Sequence, residues 1–292
     1  MGYGAQQLSY ALCVLIVLSQ PRQEAPSAQS TTVSAVVSAA TEYVEKYEAE
    51  FAYLLGSEVY RQQEDVAIPS MSGRPSLGTL GSKATTRRVL RSEFFLTFVQ
   101  SSAEWIAVRD TVDVDGRPVP NRRSVQAMLA GSSASAVARE LRDQNAQFNL
   151  GRVQRNFNEP MFGLRVLERR HVDRFQFSLN SVDKGRSGTL ATLRFEEKRE
   201  PTLIVSPLDH HPIYASGQLT VEVVTGTVRR TVVRFRDTGV SGEIETVYSL
   251  HPGLGRWLPS ELNEKWSGDS VTVIGTARYS DWHRFEVKSR IR

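Results

Sequence analysis

The chain has 292 residues, 40% of them hydrophobic, and its 36 Lys and Arg against 32 Asp and Glu give a net charge of +4. The apolar content is sufficient for a packed core. The charge is mixed rather than polarised, and basic residues do not alternate with aromatic ones in a stacking pattern, so no nucleic-acid partner is predicted.

The N-terminal segment is the first feature along the chain. Leu8 to Leu18 is an apolar run, LSYALCVLIVL, and it is shorter than the roughly 20 residues that a membrane-spanning helix needs. It matches the apolar region of a secretory signal peptide, and Ala28-Gln29-Ser30 is a small-x-small cleavage site. We therefore predict a signal peptide over 1–30 and a periplasmic or secreted protein. Because the segment before Leu8 has no Lys or Arg, a buried or interfacial N-terminal helix stays open as an alternative.

Cys13 is the only cysteine, and Leu12 before it disfavours a lipoprotein signal. Removal of the signal peptide leaves no cysteine, which excludes disulfides, thiol catalysis and cysteine-based metal sites in the mature chain. Residues 31–292 are long enough for one large domain and are predicted to form a single exported domain.

A long amphipathic helix is predicted from Val33 to about Gln63. Thr31 or Thr32 can cap its first turn. Its apolar residues recur every three or four positions, which indicates a wide apolar stripe that needs a large partner surface. The stripe consists of Val33, Val36, Val37, Ala40, Tyr43, Val44, Tyr47, Phe51, Leu54, Leu55 and Val59.

A mobile loop is predicted at 67–86, where Gly, Ser, Pro and Thr are frequent and no periodicity is present. Strands follow it, with alternating apolar residues in 90–98 and again in 106–114. The second strand ends at Asp115-Gly116, which is a hairpin turn signal. A short helix with a thin apolar face is predicted from about Ser135 to Phe148, lying across the surface.

From Arg165 to the C-terminus, apolar residues alternate with polar ones in short runs separated by turns. Phe175, Phe177 and Leu179 form one such run, and Leu219, Val221 and Val223 form another that ends at Thr225-Gly226. Regular spacing of this kind predicts an antiparallel meander with one buried face and one solvated face.

One hairpin carries a resemblance to a known family. The segment ASGQLTVEVVTGTVRR at 215–230 resembles a hairpin of the outer-membrane lipoprotein-sorting superfamily. The pieces RSEFFLTF, EWIAVRDTVDVDGRPV, FNLGRVQRNFNEP, RWLPSELNEKW and GTARYSDWHRFEV are similar to a group of exported proteins of soil bacteria. The superfamily resemblance implies an α+β fold in which a curved, unclosed antiparallel half-barrel wraps a long N-terminal helix and shelters acyl chains.

Asp209-His210-His211-Pro212 is the most reactive-looking cluster, but adjacent histidines point to opposite faces of a strand and rarely share one metal. A turn is the better interpretation, and neither a metal nor a cofactor is predicted. The chain has no nucleophile elbow, phosphate loop, dinucleotide fingerprint or His-Glu-x-x-His motif, so no enzymatic activity is expected. A triad of His251, Asp269 and a serine stays open, because triads assemble in space.

The predicted function is binding of a hydrophobic small molecule, lipid or lipoprotein acyl chain, as a carrier or chaperone, and peripheral membrane contact stays open. Two alternatives remain: a structural or interaction protein whose own helix fills the concave face, and a histidine-dependent hydrolase. The candidate ligand-binding residues are Val36, Tyr43, Tyr47 and Phe51 on the helix and Val221 and Val273 on strands.

Overall fold

A large antiparallel sheet dominates the computed structural model, which describes residues 32–68, 83–151, 159–186 and 188–285. Three α-helices accompany it: α1 (Val33–Ala49), α2 (Val125–Leu129) and α3 (Ala134–Ala146). The strands are β1 (Leu54–Ala67), β2 (Lys83–Val99), β3 (Glu104–Val114), β4 (Arg117–Pro118), β5 (Phe175–Gly185), β6 (Gly188–Glu197), β7 (Ile204–Val205), β8 (Pro212–Ile213), β9 (Ala215–Glu222), β10 (Val228–Asp237), β11 (Val240–His251), β12 (Arg256–Gly268) and β13 (Val271–Arg284).

The main sheet has eleven strands in the order β4-β3-β2-β1-β13-β12-β11-β10-β9-β6-β5, and every pairing in it is antiparallel. Strands β4 and β5 form its two edges, and in the described part of the chain no ladder joins them. Strands β7 and β8 form a separate two-stranded hairpin. The sheet is an open half-barrel, so the predicted α+β class is confirmed.

The curvature of the sheet has a local cause. Register shifts interrupt five of the strand pairings, for example between Val228 and Arg230 of β10. A bulge bends its strand and increases the twist, which is how a long sheet curls. The curl brings inward-facing side chains from nearly every strand into one main core together with α1.

Helix α1 is shorter than predicted. It begins at Val33, where the Thr32 side chain accepts a hydrogen bond from the Ala35 amide at 3.2 Å, and it ends at Ala49. Residues 54–67 form β1, although 54–63 were predicted as the second half of the helix. The prediction was wrong here because the inward positions of β1 are mostly polar: Glu58, Tyr60 and Gln62 are all buried. An apolar count therefore misses the alternation, while Leu54, Leu55 and Val59 match a helical spacing by chance.

The convex side of the sheet is covered at one edge. The helix predicted at 135–148 is α3, with nearly the same bounds. The five-residue α2 was not predicted. The thin face of α3, Val137, Ala138 and Leu141, packs with Phe95 and Ile106 in a second core. Both faces are thus buried at 94–98 of β2 and at 105–108 of β3.

Other local predictions have mixed outcomes. The hairpin at Asp115-Gly116 is confirmed, and both residues have the positive φ that this turn requires. The meander predicted from Arg165 is confirmed from Phe175 onward as β5, β6 and β9 to β13, whereas 165–167 and 172–174 lie in 3₁₀ turns. The predicted loop at 67–86 overlaps two strands, since Ala67 ends β1 and 83–86 begin β2. Residues 69–82 and the predicted signal peptide lie outside the described residues.

Candidate binding site in the concave face

Helix α1 lies across one end of the half-barrel, which we call the mouth. Three inter-strand turns contact it there: the β9–β10 turn, the β11–β12 turn and the β2–β3 turn. The Tyr47 hydroxyl donates a hydrogen bond to the Trp257 carbonyl at 2.7 Å. On the opposite side, Gln100 donates to the Glu48 carbonyl at 2.6 Å, and the Trp105 indole donates to the Glu48 carboxylate at 3.2 Å. The helix therefore bridges turns that are far apart in the sheet.

Gly226 in the β9–β10 turn allows the closest of these approaches. Its φ is +70°, and a Cβ atom there would lie 2.0 Å from the Ala39 carbonyl oxygen. Glycine is required at this position both for the backbone conformation and for the close contact with the helix.

An aromatic cluster fills the mouth beneath the C-terminal half of α1. Tyr43 stacks on Tyr47, with ring centroids 5.6 Å apart, and Tyr47 lies 5.2 Å from Phe51. Trp105 meets Phe51 edge-on at 4.8 Å and lies 5.8 Å from Tyr47. These contacts combine large apolar area with favourable ring geometry, so the aromatic residues anchor this end of the helix.

The rim of the mouth is cationic. The Arg229 guanidinium lies 3.4 Å from the centroid of the Trp257 ring, a cation–π contact. Burial raises the pKa of Tyr43 to about 12, although Arg229 and Arg256 oppose that shift. Tyr43 is therefore a neutral hydroxyl at physiological pH, between the buried aromatic residues and the basic rim.

Glu48 is the titratable group of this site. Burial, followed by the nearby Glu168 carboxylate, raises its pKa from 4.5 to about 7, while Trp105 and Arg170 act in the opposite direction. Glu168 itself is buried and pairs with Arg170 at 2.6 Å and His171 at 3.1 Å. Helix α1 is thus attached through a carboxyl group whose charge changes near neutral pH.

A second segment also occupies the concave face. Residues 162–167 form a 3₁₀ turn in which Phe162, Leu164 and Leu167 join the main core. The Tyr248 hydroxyl donates to the Pro160 carbonyl at 2.7 Å and fixes the start of this segment. The concave face is therefore filled by two pieces of the chain, α1 at the mouth and 159–167 deeper in the half-barrel.

A buried polar row runs along β1, and the sequence reasoning missed it. Glu58 forms a bidentate ion pair with Arg109, at 2.8 and 3.0 Å. The Arg109 guanidinium lies 4.4 Å from the centroid of the Tyr60 ring, and Tyr60 hydrogen-bonds to Glu264. Burial disfavours the charge on Arg109, but Glu58 outweighs that effect and raises its pKa further. The sequence signal that could have revealed this row is the spacing of Glu58, Tyr60 and Gln62 at alternate positions, which places them on one face of a strand.

The six predicted ligand-binding residues all face the concave side but do not form one site. Val36, Tyr47 and Phe51 are buried in the main core, and Tyr43 is partly buried at the mouth. The two strand residues lie at opposite ends of the half-barrel. Val221 pairs with Val228 beside the β9–β10 turn, whereas Val273 pairs with Glu64 near the far end.

The predicted turn at Asp209-His210-His211-Pro212 is the tip of the β7–β8 hairpin, whose buried Ile204 and Ile213 belong to the main core. Among the described residues, no three or more His, Cys, Asp or Glu are arranged to hold a metal ion. The triad left open in the sequence does not assemble. His251 ends β11 and Asp269 follows β12, so the length of β12, 13 residues, separates them, or about 40 Å.

No protein-family model matches the chain, and no curated protein matches it. Solved structures similar to the chain include two at 8% identity each. One is a DUF1329 family protein from Desulfovibrio piger, with a TM-score of 0.35 over 89% of this chain and 95% of that one. The other is an outer membrane lipoprotein-sorting protein domain from Vibrio parahaemolyticus, with a TM-score of 0.30 over 88% of this chain and 95% of that one.

The second neighbour bears the name of the superfamily that the sequence resembles. At these identities and TM-scores, neither neighbour assigns a ligand or a role to any residue of this chain. Within the described ranges, no helix is long and apolar enough to cross a membrane.

Proposed function

We propose that the protein is an envelope protein that holds an apolar chain, such as a lipid or lipoprotein acyl group, in the concave face of its half-barrel. In the structure described above, α1 occupies that face, so the proposal includes displacement of α1 by the ligand. The observation that carries it is the apolar row of α1 seated in an unclosed apolar sheet.

The free energy of burying the apolar side chains of α1 is similar to that of burying an acyl chain in their place. Burying Val36, Val44, Tyr47 and Phe51 of α1 is worth about 1.5–3 kcal/mol each, or about 6–12 kcal/mol together. An acyl chain of about fourteen carbons gains roughly 10 kcal/mol, at about 0.8 kcal/mol per CH₂. A ligand of that size can therefore replace the helix at little net cost.

The polar attachments of α1 favour the same conclusion. Two of them are ion pairs on the outer side of the helix, Glu45 with Arg169 at 2.6 Å and Glu50 with Arg256 at 3.3 Å. Exposed pairs of this kind contribute little to stability, and their charges are readily hydrated when the pairs separate. Departure of the helix therefore leaves none of these four charges in an apolar environment.

A crosslink that locks α1 in place tests the proposal. In a Cys13→Ser background, Glu50→Cys and Arg256→Cys are joined by a reversible bis-thiosulfonate reagent. We expect the uncrosslinked protein to bind a fluorescent fatty acid at micromolar concentration, with binding lost on crosslinking and restored on reduction. The matched control joins Arg123→Cys to Glu140→Cys, which replaces a 2.8 Å ion pair on the convex side and should leave binding unchanged.

A structural or interaction role is the second candidate, and the filling of the concave face by α1 and 159–167 favours it. Under this hypothesis α1 is a permanent part of the core. Absence of saturable fatty-acid binding to the uncrosslinked protein would support it over the carrier proposal. Binding that persists after α1 is locked would place the ligand elsewhere and contradict the carrier proposal as stated.

A further inference from the structure

A polar groove lies at the end of the half-barrel opposite the mouth, where the β7–β8 hairpin meets the sheet, and its polar floor is on the convex side. It has a volume of about 600 Å³ and runs between the β7–β8 hairpin and strands β10 to β12. Its size is within the usual range of small-molecule sites. Because its floor is made of outward-facing polar side chains, the concave-face proposal does not account for it.

Two rows of side chains form the floor of this groove, which we call the convex groove. In the first row, pairing places Ser216 beside Arg234, Arg234 beside Glu243, and Glu243 beside Lys265. Side chains alternate between faces along a strand. Since the intervening Trp266 belongs to the main core, this row faces outward.

The second row lies two residues further along the strands. Here Arg236 pairs with Ser241, and Ser241 pairs with Ser267. The intervening Phe235 also belongs to the main core, so the second row faces the same groove. Together the two rows present cationic groups and three hydroxyls from four adjacent strands.

The wall of the convex groove is fixed by a clasp around His211. Its Nδ1 lies 2.6 Å from an Asp209 carboxylate oxygen, and its Nε2 lies 2.9 Å from an Asp237 carboxylate oxygen. Only the protonated imidazole can donate from both ring nitrogens. Hydrogen bonding to Asp209, and also to Asp237, raises the pKa of His211 in agreement with this geometry. The hairpin is thus held against the end of β10.

The charges of the groove do not cancel. Glu243 is the acidic residue of the lining, and it is paired with Arg234. Among the residues that the structure describes, Arg236 and Lys265 have no ion-pair partner. Two free cations beside two hydroxyl donors, Ser241 and Ser267, match a doubly charged oxyanion with several acceptor oxygens better than a single carboxylate.

We propose that the convex groove binds a phosphate group, with Arg236 and Lys265 as its charged contacts and the paired Ser241 and Ser267 as hydroxyl donors. The groove is larger than phosphate alone, so it admits the rest of a phosphoester. A soluble phosphoester and a phospholipid headgroup share this chemistry.

Titration of the full chain with inorganic phosphate, at constant ionic strength against chloride and followed by calorimetry, tests the proposal. We expect saturable binding that Arg236→Ala with Lys265→Ala weakens at least tenfold. Both side chains are exposed, so the double variant should fold as wild type. Arg230→Ala is the matched control, because Arg230 is on the same strand and face but is paired with Glu245, and it should leave phosphate affinity unchanged.

Equal affinity in the double variant and the wild type, or no heat beyond that of chloride, would overturn the proposal. Co-sedimentation with phosphatidylglycerol vesicles but not with phosphatidylcholine vesicles, lost in the double variant, would identify a lipid headgroup as the source. Phosphate binding without vesicle binding would identify a soluble phosphoester. Because the substituted residues are on the convex face, a negative result in these phosphate and vesicle experiments would not contradict the concave-face proposal.

Discussion

Helices α1 and α3 pack on opposite faces of the same sheet and are held in different ways. Buried Asn145 of α3 accepts from the Thr111 hydroxyl at 2.5 Å and donates to the Arg109 carbonyl at 2.7 Å. Helix α1 is held mainly by an apolar row and an aromatic cluster, together with exposed ion pairs and hydrogen bonds at Tyr47 and Glu48. Buried hydrogen bonds are directional and costly to leave unmade, whereas apolar burial is non-directional. The concave-face proposal therefore requires that α1 exchanges with a ligand while α3 stays in place.

The largest effect is expected from Val44→Asp, which places an unpaired charge where the native side chain is 0% exposed. We expect a loss of about 3–5 kcal/mol in the free energy of unfolding. If α1 is exchangeable, hydrogen exchange should accelerate over 33–49 while β10 to β12 stay protected. Uniform loss of protection in the sheet would mean that α1 is integral to the fold. Ser34→Asp, at an exposed position of the same helix, is the control and should change stability little.

A smaller loss is expected from Asn145→Ala on α3. The substitution leaves the Thr111 hydroxyl and the Arg109 carbonyl without their partner in a buried environment. We expect about 2–4 kcal/mol of destabilisation in urea unfolding, with fatty-acid binding unchanged. Exposed Gln144→Ala, one residue away, should shift the urea midpoint far less. Equal effects of the two substitutions would contradict the assignment of α3 as a helix fixed by hydrogen bonds.

The smallest effect concerns the pH dependence of α1. The folded pKa of Glu48 is about 7 against an ordinary value of 4.5, so the folded protein binds this proton more tightly than the unfolded chain. The stability that Glu48 contributes is therefore complete below about pH 4.5 and is lost as the pH rises through about 7. Because the side chain is only partly buried, we expect a loss of about 1–2 kcal/mol.

Glu48→Gln cannot ionise and should remove this part of the pH dependence. The measurement is urea unfolding of both proteins at about pH 5 and about pH 8. We expect the variant to become more stable relative to wild type at the higher pH, where the Glu48 carboxylate would face Glu168. Parallel pH profiles for the two proteins would show that Glu48 does not titrate in this range.

Much of the fold could be predicted from the sequence where apolar residues are buried and polar residues are exposed. Strands such as β9 alternate apolar with polar residues and end at glycine turns, so their existence and face were evident. Strand β1 was missed because its inward residues Glu58, Tyr60 and Gln62 are polar. Other parts of the chain pair with them in the folded protein: Arg109 with Glu58, Glu264 with Tyr60, and the backbone of Phe148 and Leu150 with Gln62.

The sequence predicted which side chains face inward better than it predicted their positions along the half-barrel, for a related reason. The apolar face of α1 was evident from spacing, and Val36, Tyr47 and Phe51 do line the concave side. Val221 and Val273 were predicted to share a site, but strand pairing places them at opposite ends of the half-barrel. Position along the barrel depends on the register between strands, and local alternation carries no information about register.

The sequence by itself determined the meander, the start of α1, the hairpin turns and the apolar stripe, because these depend on neighbours along the chain. The tertiary structure decided the end of α1, the buried polar row, the filling of the concave face and the convex groove. Each of these depends on which strands are paired: Arg236 meets Ser241 and Ser267 only through the ladder from β10 to β12. Which residues are neighbours across strands depends on the strand pairing of the whole sheet, and no short stretch of sequence specifies that pairing.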